Sequence, residues 1–153
     1  MFEKDEFKRS VDSVITIDLL DQEGLEAFLE FMYRGTLPHE KLRTHIRKLY
    51  GVAIAYEFPH LHDFCGNFLT SSLASYNALA IAELASICKD KVLKDAAFRF
   101  VIENADVIPS HLFKEFFERN SGLAVDLIKE FREEIKVFSF CNSMFEKFFN
   151  SFK

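Results

Sequence analysis

The chain has no long apolar run and only three cysteines, and both shortages exclude whole classes of protein. No apolar stretch approaches the ~20 residues that a helix needs to span a bilayer, and the charged start MFEKDEFKRS differs from a secretory signal. Cys65, Cys88 and Cys141 are odd in number, far apart and set among apolar residues, which is typical of reduced, buried thiols. We therefore expect a protein of the cytoplasm or nucleus, with no disulfide and no membrane partner.

Basic residues are also in short supply. The 19 Lys and Arg are outnumbered by 24 Asp and Glu, which gives a formal net charge of −5. Proteins that bind a phosphate backbone normally carry a basic excess, so nucleic acid is not expected as a partner. Glycine and proline are scarce as well, at five and three residues, and no linker or fixed-period repeat interrupts the chain.

Tryptophan is absent, whereas phenylalanine is unusually frequent, with 19 residues. The rings are spread over every predicted helix, so they indicate core filling between helices rather than a cofactor pocket. With 49% hydrophobic residues and a mean hydropathy of +0.01, a chain of 153 residues can bury a globular core. We predict no cofactor.

Motifs for catalysis are missing. The chain has no Gly-x-Ser-x-Gly, no HExxH and no Gly-rich phosphate loop, so we predict that it is not an enzyme. The tightest cluster of potential zinc ligands is His60, His62, Asp63 and Cys65. Helical spacing places only His62 and Cys65 on one face, so surface or packing roles are favoured over a metal site.

The most ordered stretch is a strand, a turn and a helix between Val14 and Pro38. The β-branched run Val14–Ile17 predicts a short strand. Asp21 can cap a helix that runs from Gln22 to Arg34, and Gly35 supplies its left-handed stop. One apolar stripe at helical spacing is predicted to face the core, and its members are Leu25, Phe28, Leu29, Met32 and Tyr33. For Tyr33, contact with a partner is an equally good interpretation.

Further helices follow along the chain. Apolar spacing predicts them over Glu40–Tyr56, Pro59 to Ser71, Tyr76–Cys88 with Ser75 as cap, Val92–Glu103, Ser110–Glu118, and Leu123 through Ile135. Residues 137–153 either extend the last helix or form an exposed apolar end. The predicted fold class is mainly α, with helical hairpins stacked in sequence and one short β-strand near the N-terminus.

The first two helices carry opposite charges. Glu23, Glu26 and Glu30 lie along the first, and the second bears Lys41, Arg43, Arg47 and Lys48. Ion pairs between them, each worth under ~1 kcal/mol, are favoured over a basic face that binds an acidic partner.

The string ITID, the segment LEAFLEFMYRGTL and the helix ending LYGVAIAYEF together resemble the second half of a BTB/POZ domain, particularly of plant members. Tyr33-Arg34-Gly35 matches the family's Tyr-x-Gly turn. The stretch from Phe58 to Ile108 resembles the last helix of that domain and the three-box helices that open a BACK-type extension. The resemblance implies a partial BTB/POZ domain over 1–73, a three-box or BACK-like helical extension over 74–136, and a Phe-rich tail over 137–153.

BTB/POZ proteins of this kind are adaptors that dock on the third-type cullin scaffold and bring substrates to a ubiquitin ligase. The resemblance therefore implies a non-enzymatic adaptor. Its implied partners are a cullin scaffold and other BTB proteins. The residues it assigns to protein interaction are Phe7, Glu26, Tyr33, Arg34, His62 and Tyr76. Phe7 matches the apolar member of a hydrophobic-x-Glu docking motif, although Arg9 stands where Glu is expected.

The family's first strands and helices, including the segment that builds its homodimer, have no counterpart in this sequence. A family-type homodimer is therefore not expected. The alternative function is an oligomerisation or transcription-regulator partner, or a shortened competitor of full-length BTB proteins.

Overall fold

A computed structural model of the chain describes residues 20–150, apart from the side chains at positions 140, 145, 148 and 149. This part is mainly helical, as the apolar spacing predicts. Its helices are α1 (Gln22–Arg34), α2 (His39–Ala55), α3 (Pro59–Ser71), α4 (Ala78–Ile87), α5 (Lys91–Glu103), α6 (Ser110–Arg119) and α7 (Ser121–Asn150). The strand predicted at Val14–Ile17 lies outside the described residues. The chain divides into two compact units, Met1–Ser71 and Ser72–Lys153.

Both predicted ends of α1 are confirmed. The Asp21 side chain accepts a hydrogen bond of 2.9 Å from the backbone N–H of Gly24, which satisfies one of the free donors at the helix start. Gly35 ends the helix at φ 70°, and its N–H donates to the carbonyl of Phe31 at 2.7 Å. Because both signals act within one turn of chain, they fix where this helix begins and ends.

The buried face of α1 differs from the predicted stripe. Of the stripe residues only Phe28 is buried, while Leu25 is half-buried. Leu29, Met32 and Tyr33 are 46%, 53% and 90% exposed, so their prediction as core residues is wrong. The helix has apolar residues on two sides. The side that faces the core is the one with Gly24, Ala27, Phe28 and Phe31, which are all buried.

The core of the first unit forms where α1 packs on α2 and α2 packs on α3. Aromatic pairs fill it: the ring centroids of Phe28 and Phe58 lie 5.5 Å apart, and those of Phe31 and Phe64 lie 5.0 Å apart. Other fully or nearly buried side chains come from α2 and α3, namely Leu42, Leu49, Tyr50, Val52, Ala53, Leu61, Cys65 and Leu69. The predicted α1–α2 packing is therefore confirmed.

Ion pairs join α1 to α2, as their opposite charges predict. Lys41 Nζ lies 2.6 Å from Glu30 Oε2, and Lys48 Nζ lies 2.5 Å from Asp21 Oδ2. The hydrogen bond from Lys48, followed by that from the Gly24 backbone, lowers the pKa of Asp21 below its ordinary value. Asp21 thus caps α1 and ties its first turn to α2.

We expect Asp21→Ala to lower the melting temperature of the first unit at neutral pH, because both the cap and the ion pair are lost. Since the folded-state pKa lies below the ordinary 3.8, the stabilisation is complete above that pH and is lost as the pH falls through the lowered pKa. The gap to wild type should therefore shrink in acid, as followed by circular dichroism. Asp21→Asn keeps a capping side chain but removes the charge, so its loss should be smaller than that of Asp21→Ala and should also shrink in acid. A constant gap for Asp21→Ala at neutral and acidic pH would contradict the contribution of the ion pair.

In the second unit, α4 packs on α5 and on α6, and α7 packs on α5 and α6. Alanines let the backbones of α4 and α5 approach closely, since Ala78, Ala82, Ala85 and Ala97 are fully buried. Phe98 and Phe116, at 2% and 1% exposure, are the largest buried side chains of this unit. α4 is therefore the central helix, as its nearly continuous apolar sequence predicts.

The start of α4 was not predicted correctly. Ser75 is not its cap; the helix begins at Ala78, after a turn that the Asn77 side chain closes. The Asn77 amide accepts from the Ala74 N–H at 2.7 Å and donates to the Ser72 carbonyl at 2.8 Å. Ile87, at the other end of α4, is 78% exposed.

The last helix, α7, extends to Asn150, so of the two alternatives for the tail the structure shows the longer helix. Among the side chains of α7 that the structure describes, only those of the first two turns are buried, through Leu123, Ala124 and Leu127. Phe131 and Ile135, which belong to the apolar stripe of the predicted amphipathic helix, are 38% and 56% exposed.

Candidate protein-binding surface

The side of α1 that faces away from the core carries an apolar surface. We call Glu26, Leu29, Met32 and Tyr33 the outer face of α1; helical spacing places them together. All four are exposed, and Tyr33 at 90% is almost free of contacts within its unit. Adjacent exposed apolar residues of this size are typical of protein-binding sites. The outer face is therefore the candidate functional site.

The cap and core of α1 determine which side becomes the outer face. A Cβ atom at Gly24 would lie only 2.8 Å from Asp21 Oδ1 and 3.3 Å from a methyl carbon of Leu20, so the capped turn needs glycine at this position. Ala27 is also small, and this residue is only 1% exposed. The small residues Gly24 and Ala27 let this side of α1 approach the core closely, while Leu29 and Met32 point away from it.

Ion pairs secure the edge of α1 beside this surface. Glu30 accepts from Lys41 at 2.6 Å and from Arg34 at 3.1 Å. The bond from Lys41 lowers the pKa of Glu30, so its charge persists below the ordinary range of a glutamate. The outer face itself keeps one charge, on Glu26, to which the Gln22 side chain donates at 3.4 Å.

The structure brings together two of the six predicted interaction residues. Glu26 and Tyr33 share the outer face of α1, whereas Arg34 turns aside to bind Glu30. Tyr76 is 66% exposed, but it belongs to the second unit. Phe7 lies outside the described residues.

His62, the remaining predicted residue, is half-buried on α3. Its ring stacks on that of Tyr50 with centroids 5.4 Å apart, and its Nδ1 atom lies 3.5 Å from Asp63 Oδ1. Because Tyr50 is fully buried, His62 covers the core of the first unit. It is therefore a half-buried packing residue.

Sequence reasoning missed Leu29 and Met32 as surface residues. Their signal was present, because α1 has more apolar side chains than one buried face can hold. Spacing alone does not say which of two apolar faces is covered.

The described residues offer no arrangement for metal chemistry. Within residues 20–150, no group of three or more His, Cys, Asp or Glu side chains is placed to hold a metal ion. Burial raises the pKa of the Cys65 thiol to about 12, while the neighbouring His60 is exposed.

Between residues 20 and 150, no helix has both the length and the apolarity required to cross a bilayer.

Comparison with known proteins agrees with a binding role. The family model for the BTB/POZ domain matches residues 1–73. Three BTB/POZ domain-containing proteins of Arabidopsis thaliana are 43%, 45% and 43% identical and cover 93%, 84% and 84% of this chain. The chain in turn spans 72%, 61% and 59% of their lengths. No solved structure matches it. With this identity and coverage, the chain belongs to the BTB/POZ domain family.

Proposed function

We propose that this chain is a non-enzymatic protein-interaction adaptor and that its partner docks on the outer face of α1. The observation that carries the proposal is the exposure of Leu29, Met32 and Tyr33 on one side of a helix whose other side fills the core. Tyrosine and methionine are enriched at protein interfaces, and tyrosine supplies a large contact area at little cost in conformational entropy. Tyr33 is the anchor of this surface, and Glu26 is its polar rim.

The partner we propose is the cullin scaffold of a ubiquitin ligase, in the cytoplasm or nucleus. Membership of the BTB/POZ family supports this partner. In this role the chain performs no chemistry and positions a substrate protein for ubiquitination. Arg9 in place of the expected Glu removes one docking contact, so the helical surface must supply more of the binding energy.

The test is the affinity of the purified chain for a purified cullin, measured by calorimetry. Leu29→Glu places a charge where an apolar contact is expected, and the affinity should fall by about tenfold to a hundredfold. Leu29 is half exposed, so the variant should retain the wild-type melting temperature. Ile87→Glu is the matched control, because Ile87 is also apolar and exposed but lies in the second unit.

Unchanged affinity of Leu29→Glu would contradict the outer face of α1 as the docking site. If wild type fails to bind cullin but binds a full-length BTB chain, the alternative is supported, namely a competitor or oligomerisation partner. Both measurements use the same protein and the same control.

A further inference from the structure

The last helix carries a second apolar surface, which the proposed function does not use. From Ile128 to Asn150, every side chain that the structure describes is exposed. This stretch is about 35 Å long at the usual rise per residue. Helices in proteins gain most of their stability from packing an apolar face, so an uncovered helix of this length needs a partner.

The apolar residues of this stretch recur in a heptad pattern. Ile128, Phe131, Ile135 and Phe138 are separated by three, four and three residues, and they are 50%, 38%, 56% and 69% exposed. Another step of four leads to Asn142, which is also exposed. Alternating steps of three and four place these residues in one line along the helix, as in the a and d positions of a coiled coil. We call these five residues the α7 seam.

We propose that α7 pairs with α7 of a second copy of this chain in a parallel, in-register, two-stranded coiled coil along the α7 seam. The a positions hold Ile128, Ile135 and Asn142, and the d positions hold Phe131 and Phe138. A single Asn at an a position fixes register and oligomeric state. A second copy in register brings the two Asn142 side chains to the same level, where each amide can bind the other.

The charges beside the α7 seam permit this arrangement. In a parallel pair, position g of one helix faces position e of the next heptad on the other. Arg132 then faces Leu127 of the other copy, and Glu134 faces Ser139, so no two like charges meet. Charged residues on the far side of the helix remain in water, as the ion pair of 2.8 Å between Lys136 and Glu133 shows.

The apolar area of the α7 seam is near the size that a specific contact needs. With about 200 Å² for a whole Ile or Phe side chain, the exposed fractions of the two Ile and two Phe sum to roughly 400 Å² per copy. Two copies would bury about 800 Å² from these positions alone, somewhat below the ~1,000 Å² that a stable biological interface should exceed. Asn142 and the neighbouring Cys141 add to this area. We therefore expect a reversible dimer rather than an obligate one.

The first test is the mass of the full chain by sedimentation equilibrium over a wide range of concentration. Wild type should show a monomer–dimer equilibrium, and Ile135→Glu should weaken it by at least tenfold, since it places two like charges face to face in the seam. Val137→Glu is the control: Val137 is 63% exposed on the same helix but lies off the seam, so this variant should dimerise like wild type. A monomeric wild type, a trimer, or equal association of the two variants would overturn the proposal.

The second test addresses direction and register. In a Cys141→Ser background, Ile135→Cys keeps Asn142 and should form a covalent dimer on mild oxidation, because an in-register pair holds the two thiols within disulfide distance. Val137→Cys in the same background should remain non-covalent. Failure of Ile135→Cys to cross-link, or equal cross-linking of both variants, would overturn the parallel, in-register arrangement.

Discussion

Phe28→Asp should unfold the first helical unit. Phe28 is 7% exposed, and its ring lies 5.5 Å from that of Phe58, where α1 meets the rest of the core. Loss of a buried ring costs about 3–5 kcal/mol. The new carboxylate adds the cost of a charge without a partner in an apolar setting. Together these exceed about 5 kcal/mol, which is the lower end of the total stability of a typical domain.

The control for this variant lies four residues further along the same helix. Met32→Asp introduces the same charge at a side chain that is 53% exposed, so its melting curve by circular dichroism should match wild type. Hydrogen exchange of the α1 and α2 amides reports on the first unit alone and should show lost protection only for Phe28→Asp. Melting of Phe28→Asp at the wild-type temperature would contradict the assignment of the inner face of α1.

Phe98→Ala should destabilise the second unit by about 3–5 kcal/mol, the usual cost of removing a fully buried aromatic ring. Phe98 is 2% exposed on α5, the helix that packs most extensively against α4. Lys94 Nζ lies 5.7 Å from the centre of its ring, so a cation–π contact is lost as well. The cavity should lower the urea midpoint of this unit.

Val92→Ala provides the comparison on the same helix. Val92 is 82% exposed, so its truncation should change stability by less than about 0.5 kcal/mol. Hydrogen exchange of the α5 amides assigns each change in unfolding free energy to the second unit. An equal loss for the two variants would show that Phe98 does not carry the packing of α5.

Helix ends were predictable wherever one or two side chains determine them. Asp21 and Gly35 act within a single turn, and α1 begins and ends where they indicate. The start of α4 was mispredicted, because Asn77 bonds backward to Ser72 and Ala74 and thereby closes a turn ahead of the helix. That bonding depends on the fold of six neighbouring residues, which composition does not reveal.

Which face is covered was harder to predict than where a helix lies. In α1 the outer residues Leu29 and Met32 are three apart, and the inner residues Ala27 and Phe31 are four apart. Both are helical spacings, so periodicity supports either face as the core. In the structure the core covers the side with Gly24, Ala27 and Phe31. In α7 the spacing correctly grouped Phe131 with Ile135, but spacing alone does not indicate whether another element covers them.

The candidate site was likewise predicted only in part from the sequence. The Tyr-x-Gly resemblance pointed to Tyr33, and its side chain is exposed at the end of α1. Leu29 and Met32 belong to the same surface because the opposite side of α1 packs against the core. The resemblance thus pointed to one exposed residue, whereas the extent of the exposed surface followed from packing.

The two apolar sides of α1 have a consequence for an unassembled copy of the chain. Folding hides one side and leaves Leu29, Met32 and Tyr33 in water, where chaperones and proteases recognise such surfaces. A partner that binds only the folded state adds its binding free energy to the folding equilibrium. The lifetime of this protein in the cell would therefore follow the supply of its partner, as for an orphan subunit that is removed by quality control.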